Sequence, residues 1–510
     1  MSDTTRRAVL TGAIGLTAGA AWGRTRGITV TCAAGRFVGE RDDSGVSRFL
    51  GIRYGRAARF QAPVAAPPAR DLVRATTYGA VCPQRTARGL QAEDCLSLNV
   101  WTPDPRFGAK LPVMVYIHGG GYAFGSGNDA VCDGRHLASR GVLVVTINHR
   151  LNALGYLYLA RLDPRFPNSG NAGQLDLIVA LQWIRANIAA FGGDAGCVTV
   201  FGDSGGGGKV TTLMAMPAAT GLFQRAATMS GQQVTASGPL HATRRARAYC
   251  TRLEVPVSDL STLAHMPVER LIEALDMDDP IAGGPIYMGP VLDRGPLPRH
   301  PFWPDAPPSS VGIPLLSGSA HDETRSFSDP ESAFVQTMTW ANVGERTAPE
   351  LPVDAAPEWI IAEYRRHLPA ASPADVYFLA TTAGRSWRPQ LEVAEARVRA
   401  SAPTWLYQID FASRADPRRG AFHCIDVPLL FGTLSARSAG TGDDNVTRGV
   451  SRAVQDIFVS FARAGDPGWP QYELPGRATM IVDESNSLEH DPRGWQRRLF
   501  SSYPYLQPGS

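Results

Sequence analysis

Lysine is nearly absent from this chain. Of its 50 basic residues only Lys110 and Lys209 are lysines, and all the others are arginine. The arginines are scattered, and 47 acidic residues leave a net charge of only +3. No basic stripe forms, so a nucleic-acid partner is not expected. A coding preference for arginine accounts for the imbalance without any anionic ligand. The seven cysteines show neither CxxC nor metal-finger spacing, which excludes zinc ribbons and thioredoxin-like redox sites. Beyond the first two dozen residues no apolar run is long enough to span a membrane. A charged fraction of 19% against 44% hydrophobic residues leaves no sign of disorder.

The N-terminus has its own pattern. Arg6-Arg7 stands directly before an apolar stretch running to about Trp22, and Ala18-Gly19-Ala20 supplies small residues at signal-peptidase spacing. Residues 1–23 are therefore expected to be a twin-arginine export signal that engages its export machinery transiently. The mature chain is then periplasmic or secreted, a setting that permits disulfides. Cys82 and Cys95, flanked by Pro83-Gln84 and Glu93-Asp94, are the expected pair. Closing a loop of about 14 residues contributes roughly 3 kcal/mol in the chain-entropy picture.

The rest, residues 24–510, reads as one α/β domain. Short strands are expected at Ile28–Thr31, Arg36–Val38 and Phe49–Tyr54. Pro112–Ile117 and Val142–Ile147 are continuous apolar runs of the kind found in central strands covered on both faces. Residues 171–190 carry apolar positions at helical period and stop at Gly192-Gly193; Val198–Phe201 is again a strand. This alternation predicts a mostly parallel central sheet with helices on both faces. Helical insertions over the sheet's C-terminal edge are expected at about 235–310 and 325–400. Further strands are expected at Ile313–Leu316 and Thr404–Phe411, and a last amphipathic helix over 449–463.

Two glycine-rich segments follow central strands. Gly202-Asp203-Ser204-Gly205-Gly206 matches G-x-S-x-G at the end of the Val198–Phe201 strand. There a sharp strand-to-helix turn holds a serine exposed, and glycines permit the close backbone approach. The competing reading is a phosphate loop, because Gly205–Gly208 precede Lys209; it lacks the Ser or Thr after the lysine and the required spacing. His118-Gly119-Gly120-Gly121 follows the Pro112–Ile117 strand. Its N–H groups at Gly120 and Gly121, joined by that of Gly205, are the expected oxyanion donors. A serine nucleophile also needs a base. Of ten histidines, His321 beside Asp322-Glu323 suggests a metal cluster, but adjacent residues at a strand end cannot converge on one ion. His423 stands in a loop after the Thr404–Phe411 strand.

These segments together resemble the type-B carboxylesterase and cholinesterase family. Glu93–Trp101 resembles its E-D-C-L-x-L-N signature and Phe201–Gly206 its F-G-E-S-A-G motif. Gly51–Tyr54, Phe191–Asp194 and Trp469–Tyr472 add further matches in the same order. The resemblance implies the α/β-hydrolase fold and a catalytic triad of Ser204, Glu323 and His423, with Glu323 taken from the Asp322-Glu323-Thr324 element. It also implies that Ser230 is a buried serine supporting the acid. The chain departs from the pattern at Asp203, Gly205, Thr324 and Cys424. Gly205 in place of the usual alanine suggests a roomier elbow, and Cys424 beside His423 suggests sensitivity to oxidation. The implied activity is hydrolysis of small to medium carboxylic esters through an acyl-enzyme, without cofactor or metal. The alternatives are an inactive adhesion protein on the same fold, or an amide or lactam hydrolase using the same triad.

Overall fold

The computed structural model describes residues 26–510 apart from 87, 88, 352, 508 and 510. The export signal read over residues 1–23 lies outside the described residues. Seven parallel strands form the centre of the sheet, in the order Leu143–Ile147, Leu111–Ile117, Gly193–Asp203, Arg225–Met229, Leu315–Ala320, Thr404–Ile409 and Ala478–Val482. Antiparallel strands flank them: Arg26–Cys32, Gly35–Arg41, Ser47–Arg53 and Ser97–Thr102 on one side, and Ser487–His490 on the other. A short strand, Leu72–Arg74, pairs with Gly35–Arg41 and completes thirteen.

The continuous apolar runs are explained by burial on both faces. Val113, Val115 and Ile117 point into one core, with Leu177, Leu181 and Ile184 of the Ala172–Asn187 helix. Met114 and Tyr116 point into the other, with Val450, Val454 and Phe458 of the Asn445–Ala464 helix. Burying each such side chain contributes about 1.5–3 kcal/mol. The α/β layering expected from the sequence is thus observed.

The two expected insertions are helical. Pro239–Arg252, Ser261–His265 and Val268–Glu273 lie in the first; Pro357–His367, Pro373–Thr381 and Arg388–Arg399 lie in the second. The second builds a core of its own around Ile360, Tyr364, Phe378 and Trp387. Its Pro373–Thr381 helix starts at a capping box in which Ser372 and Asp375 satisfy each other's backbone N–H groups, with proline at the first helical position. Among the described residues no helix is long and apolar enough to cross a membrane.

Strand order positions the site. From Leu111–Ile117 the chain passes to Leu143–Ile147 on one side, then crosses to Gly193–Asp203 on the other. A crevice opens where the order reverses, beyond the carboxyl ends of the strands. The two strands that border it end at Ile117 and Asp203, immediately before the glycine loop and Ser204.

One expectation is corrected. Cys82 and Cys95 are both buried but are free thiols, with no bridge between them. The Cys82 Sγ accepts from the Leu151 N–H at 3.2 Å, and the Cys95 thiol is hydrogen-bonded to Cys82. The hydrogen bond to Cys82, and then burial, push the Cys95 thiol well above its ordinary value, so it stays protonated. Alkylation of the unfolded, unreduced protein is expected to label both cysteines, read as two added masses on the 82–95 segment.

Candidate active site

Ser204 sits at the turn between the Gly193–Asp203 strand and the Gly205–Met214 helix, with φ +50° and ψ −124°. A non-glycine residue held there costs on the order of 1–3 kcal/mol and persists only where its surroundings enforce it. Here the Ser204 N–H donates to the Met229 carbonyl at 2.7 Å, and its carbonyl accepts from Gly208 at 3.1 Å. Tyr122, Asn152, Ser230 and Cys424 also have positive φ. Phe60, Lys110, Glu254, Ser401, Arg477 and Asp491 share this conformation elsewhere in the chain, so it is the strand-to-helix turn at Ser204, not positive φ alone, that distinguishes the crevice.

The glycines after Ser204 are required by close approach. An added Cβ on Gly206 would lie 2.0 Å from the Ile117 carbonyl oxygen, and one on Gly207 would lie 2.2 Å from that of Gly231. On Gly205 it would lie 2.6 Å from the Gly121 nitrogen. The elbow is therefore tighter than its Gly205 suggested, because the glycine loop occupies the space an alanine methyl would need. A Gly206→Ala variant is expected to lose at least about 1–3 kcal/mol of stability, the usual cost of overpacking, together with most activity. A denaturant midpoint unchanged by this substitution would contradict the packing described.

In the loop itself Gly120 and Gly121 have φ +88° and +57°. The Gly120 carbonyl accepts from Ala123 and Phe124, while the N–H groups of Gly120 and Gly121 have no backbone acceptor among the described residues. Gly205, first in its helix, has none within that helix. The Gly121 N–H thus lies against Gly205, beside the N-terminal end of the helix dipole, and Gly120 precedes it in the same loop. The loop is held from behind by side chains that sequence reasoning passed over. Gln84 bridges both backbone groups of Gly125, at 2.7 and 3.0 Å. Asn152 donates to Pro83 at 2.9 Å and to Ala123 at 3.4 Å.

Glu323 is completely buried. One carboxylate oxygen accepts from His423 Nδ1, and the other from the Ala320 N–H at 2.7 Å. Burial lowers the His423 pKa, but the Glu323 charge and hydrogen bond, helped by Asp203 and Asp426, outweigh it and hold the value above normal. Burial pushes Asp426 up to about 7, Tyr407 opposing this by a hydrogen bond of 2.8 Å. Asp203 ties this group to the elbow: it accepts from Tyr116 at 2.6 Å and hydrogen-bonds the Cys424 thiol. Ser204, His423 and Glu323, distant in sequence, are thus gathered at one edge.

Two expectations change here. Ser230 is buried, but its hydroxyl has no hydrogen-bond partner among the described residues, and the acid's second oxygen is taken by Ala320 instead. Cys424 has φ +62°, the left-handed conformation that glycine adopts freely. Burial, then the charges of Asp203, Asp426 and Glu323, keep its thiol well above the usual value. A protonated thiol is a poor target for oxidants, so the suggested sensitivity is not supported.

The carboxylesterase family model matches residues 26–492 of this chain. The chain belongs to the carboxylesterase family. It is 34% identical over 502 residues to the para-nitrobenzyl esterase of Bacillus subtilis, covering 93% of this chain and 98% of that protein. It is 31% identical to a probable N-octanoylanthranilate hydrolase of Rhodococcus erythropolis, covering 90% and 98% respectively. Among solved structures, a para-nitrobenzyl esterase superposes with a TM-score of 0.79 at 34% identity, covering 92% of this chain and 99% of that one. A Geobacillus stearothermophilus carboxylesterase superposes with a TM-score of 0.82 at 30% identity, with the same coverage. This carboxylesterase has the α/β-hydrolase fold and is a serine carboxylic ester hydrolase; the adhesion alternative is not favoured.

Proposed function

We propose that Ser204 is the nucleophile, His423 the general base, and Glu323 the acid that fixes the imidazole. The observation that carries this reading is the bond from a fully buried Glu323 to His423 Nδ1. It leaves Nε2 as the nitrogen able to take a proton. His423 removes the Ser204 proton, Ser204 attacks the ester carbonyl, and the oxygen's negative charge is met by the N–H groups of Gly120, Gly121 and Gly205. The imidazolium returns the proton to the leaving alcohol. Water, activated by the same histidine, then releases the acid.

The His423 shift has a definite sign. Only the neutral imidazole accepts the serine proton, and its pKa is raised in the protein. Activity is expected to rise with pH through a value above the ordinary histidine pKa, and to be lost on acidification below it. Glu323→Gln removes the main charge that raises the value. The acidic limb of kcat/KM is expected to move to lower pH while kcat falls by about 10⁴. An unmoved limb would detach Glu323 from the histidine.

Substrates are proposed to be small to medium esters. Phe124, next to the glycine loop, and Phe327, whose ring lies 5.2 Å from that of His423, are both about half exposed and offer apolar contacts for them. A panel of p-nitrophenyl esters of increasing acyl length, with a β-lactam and an aryl amide, tests this. Faster turnover of the amide or lactam would favour the other leaving group. Export through Arg6-Arg7, giving a periplasmic or secreted enzyme, is part of the same proposal. Arg6→Lys with Arg7→Lys is expected to retain the protein in the cytoplasm.

A further inference from the structure

Lys209 is fully buried, on the helix that starts at the Ser204 elbow. Its ammonium donates to the His118 carbonyl at 3.2 Å and lies 5.0 Å from the centre of the Tyr122 ring. His118 and Tyr122 are the first and last residues of the loop that contains Gly120 and Gly121. Gly208, preceding the lysine, makes room for this: an added Cβ would lie 2.6 Å from the Tyr122 hydroxyl. That hydroxyl donates to Gln233 at 2.8 Å.

The surroundings leave Lys209 as the source of positive charge. The His118 and His149 rings lie 4.6 Å apart. Burial, then the lysine itself, lowers both histidines, His118 to about 3, so both are neutral. Burial also brings Lys209 down to about 7, while Asp203 opposes the fall. Among the described residues no carboxylate forms a salt bridge with it. A buried ammonium with so few partners is costly to the fold, so its place calls for a reason other than stability.

We infer that Lys209 is a positioning residue for the oxyanion pocket, tying both ends of the His118–Tyr122 loop to the helix of Ser204 and Gly205 and placing a positive charge behind their N–H groups. The inference rests on the assignment of those groups under the proposed function. The pocket is assembled from two separate segments, and its donors work only when both are in register. Negative charge grows on the substrate oxygen in the transition state, in a site where a fixed cation acts through little water. The effect should therefore fall on kcat rather than on substrate binding.

The test compares wild type with Lys209→Met and Lys209→Gln, reading kcat, KM and their pH profiles with p-nitrophenyl acetate. Covalent labelling of Ser204 by a phosphonate is followed in parallel. Expected are a fall in kcat of about 10²-fold on the acid side of the Lys209 titration at about 7, little change in KM, and loss of an alkaline limb that wild type shows as Lys209 gives up its proton. Glutamine retains a donor for His118 without charge, so it should lose the limb as methionine does. Unchanged kcat and pH profile in either folded variant would overturn the inference while leaving the esterase mechanism intact. Absence of labelling in wild type would strike the esterase mechanism instead. If neither variant folds, wild type decides: a kcat that stays flat on the alkaline side overturns the proposed role of the charge.

Discussion

Ser204→Ala is expected to lower ester hydrolysis by about 10⁵–10⁶. On the proposed mechanism the substitution removes the one protein atom that forms a bond to the substrate. Little else changes. The backbone bonds that enforce the elbow, from Ser204 N–H to Met229 and from Gly208 to Ser204, involve no hydroxyl. The variant should therefore fold, bind esters with KM little altered, and retain the weak assistance of the glycine-loop donors. Initial rates with p-nitrophenyl acetate measure the loss. A mass shift on exposure to an organophosphonate, present in wild type and absent in the variant, shows whether Ser204 is the modified atom's residue. A variant that kept its activity would end the assignment.

The largest expected effect on stability lies behind the crevice. Arg150 and Asp176 form an ion pair with both side chains almost wholly buried, 5% and 0% exposed. Arg150 Nε and one terminal nitrogen donate to the two carboxylate oxygens at 2.9 and 2.7 Å, and the Arg150 N–H adds a third bond at 3.0 Å. The guanidinium also reaches the Gln61 carbonyl at 2.8 Å. Arg150→Met strips Asp176 of its charge partner where water cannot replace it, at an expected cost of about 3–5 kcal/mol. The urea midpoint measures this. Adding Asp176→Leu should recover much of the loss, because a dry apolar pair needs no partner. If the single variant were as stable as wild type, the pair would not be the buried anchor described. Activity should also suffer, since Asn152, two residues on, holds the glycine loop.

The chemistry was legible because it depends on residue types at fixed local positions. G-x-S-x-G at a strand end and His-Gly-Gly-Gly at another are constraints written in adjacent residues. The continuous apolar runs likewise announced central strands. Arg225–Met229 and Ala478–Val482 escaped notice for the opposite reason. Both are short, and the first is rich in alanine. Such segments become strands through the ladders their neighbours offer, as when Met229 receives the Ser204 N–H. Lys209 was read only as the tail of a rejected phosphate loop. Its rarity in an arginine-rich chain was the available signal, but rarity does not reveal burial.

What the sequence by itself determined was the layered α/β order and, through its resemblance to the family, the ester-hydrolysing chemistry and the proposed assignment of Ser204, Glu323 and His423. The family motifs, in their chain order, carried that resemblance. What the tertiary structure alone decided was how tightly these parts meet. It replaced a roomy elbow by one pressed against Gly121, a disulfide by two buried thiols, and a serine-supported acid by one bonded to the Ala320 N–H. It also brought Lys209 beneath the glycine loop. Each of these depends on distances of a few ångströms between segments far apart in the chain, and no local pattern encodes them.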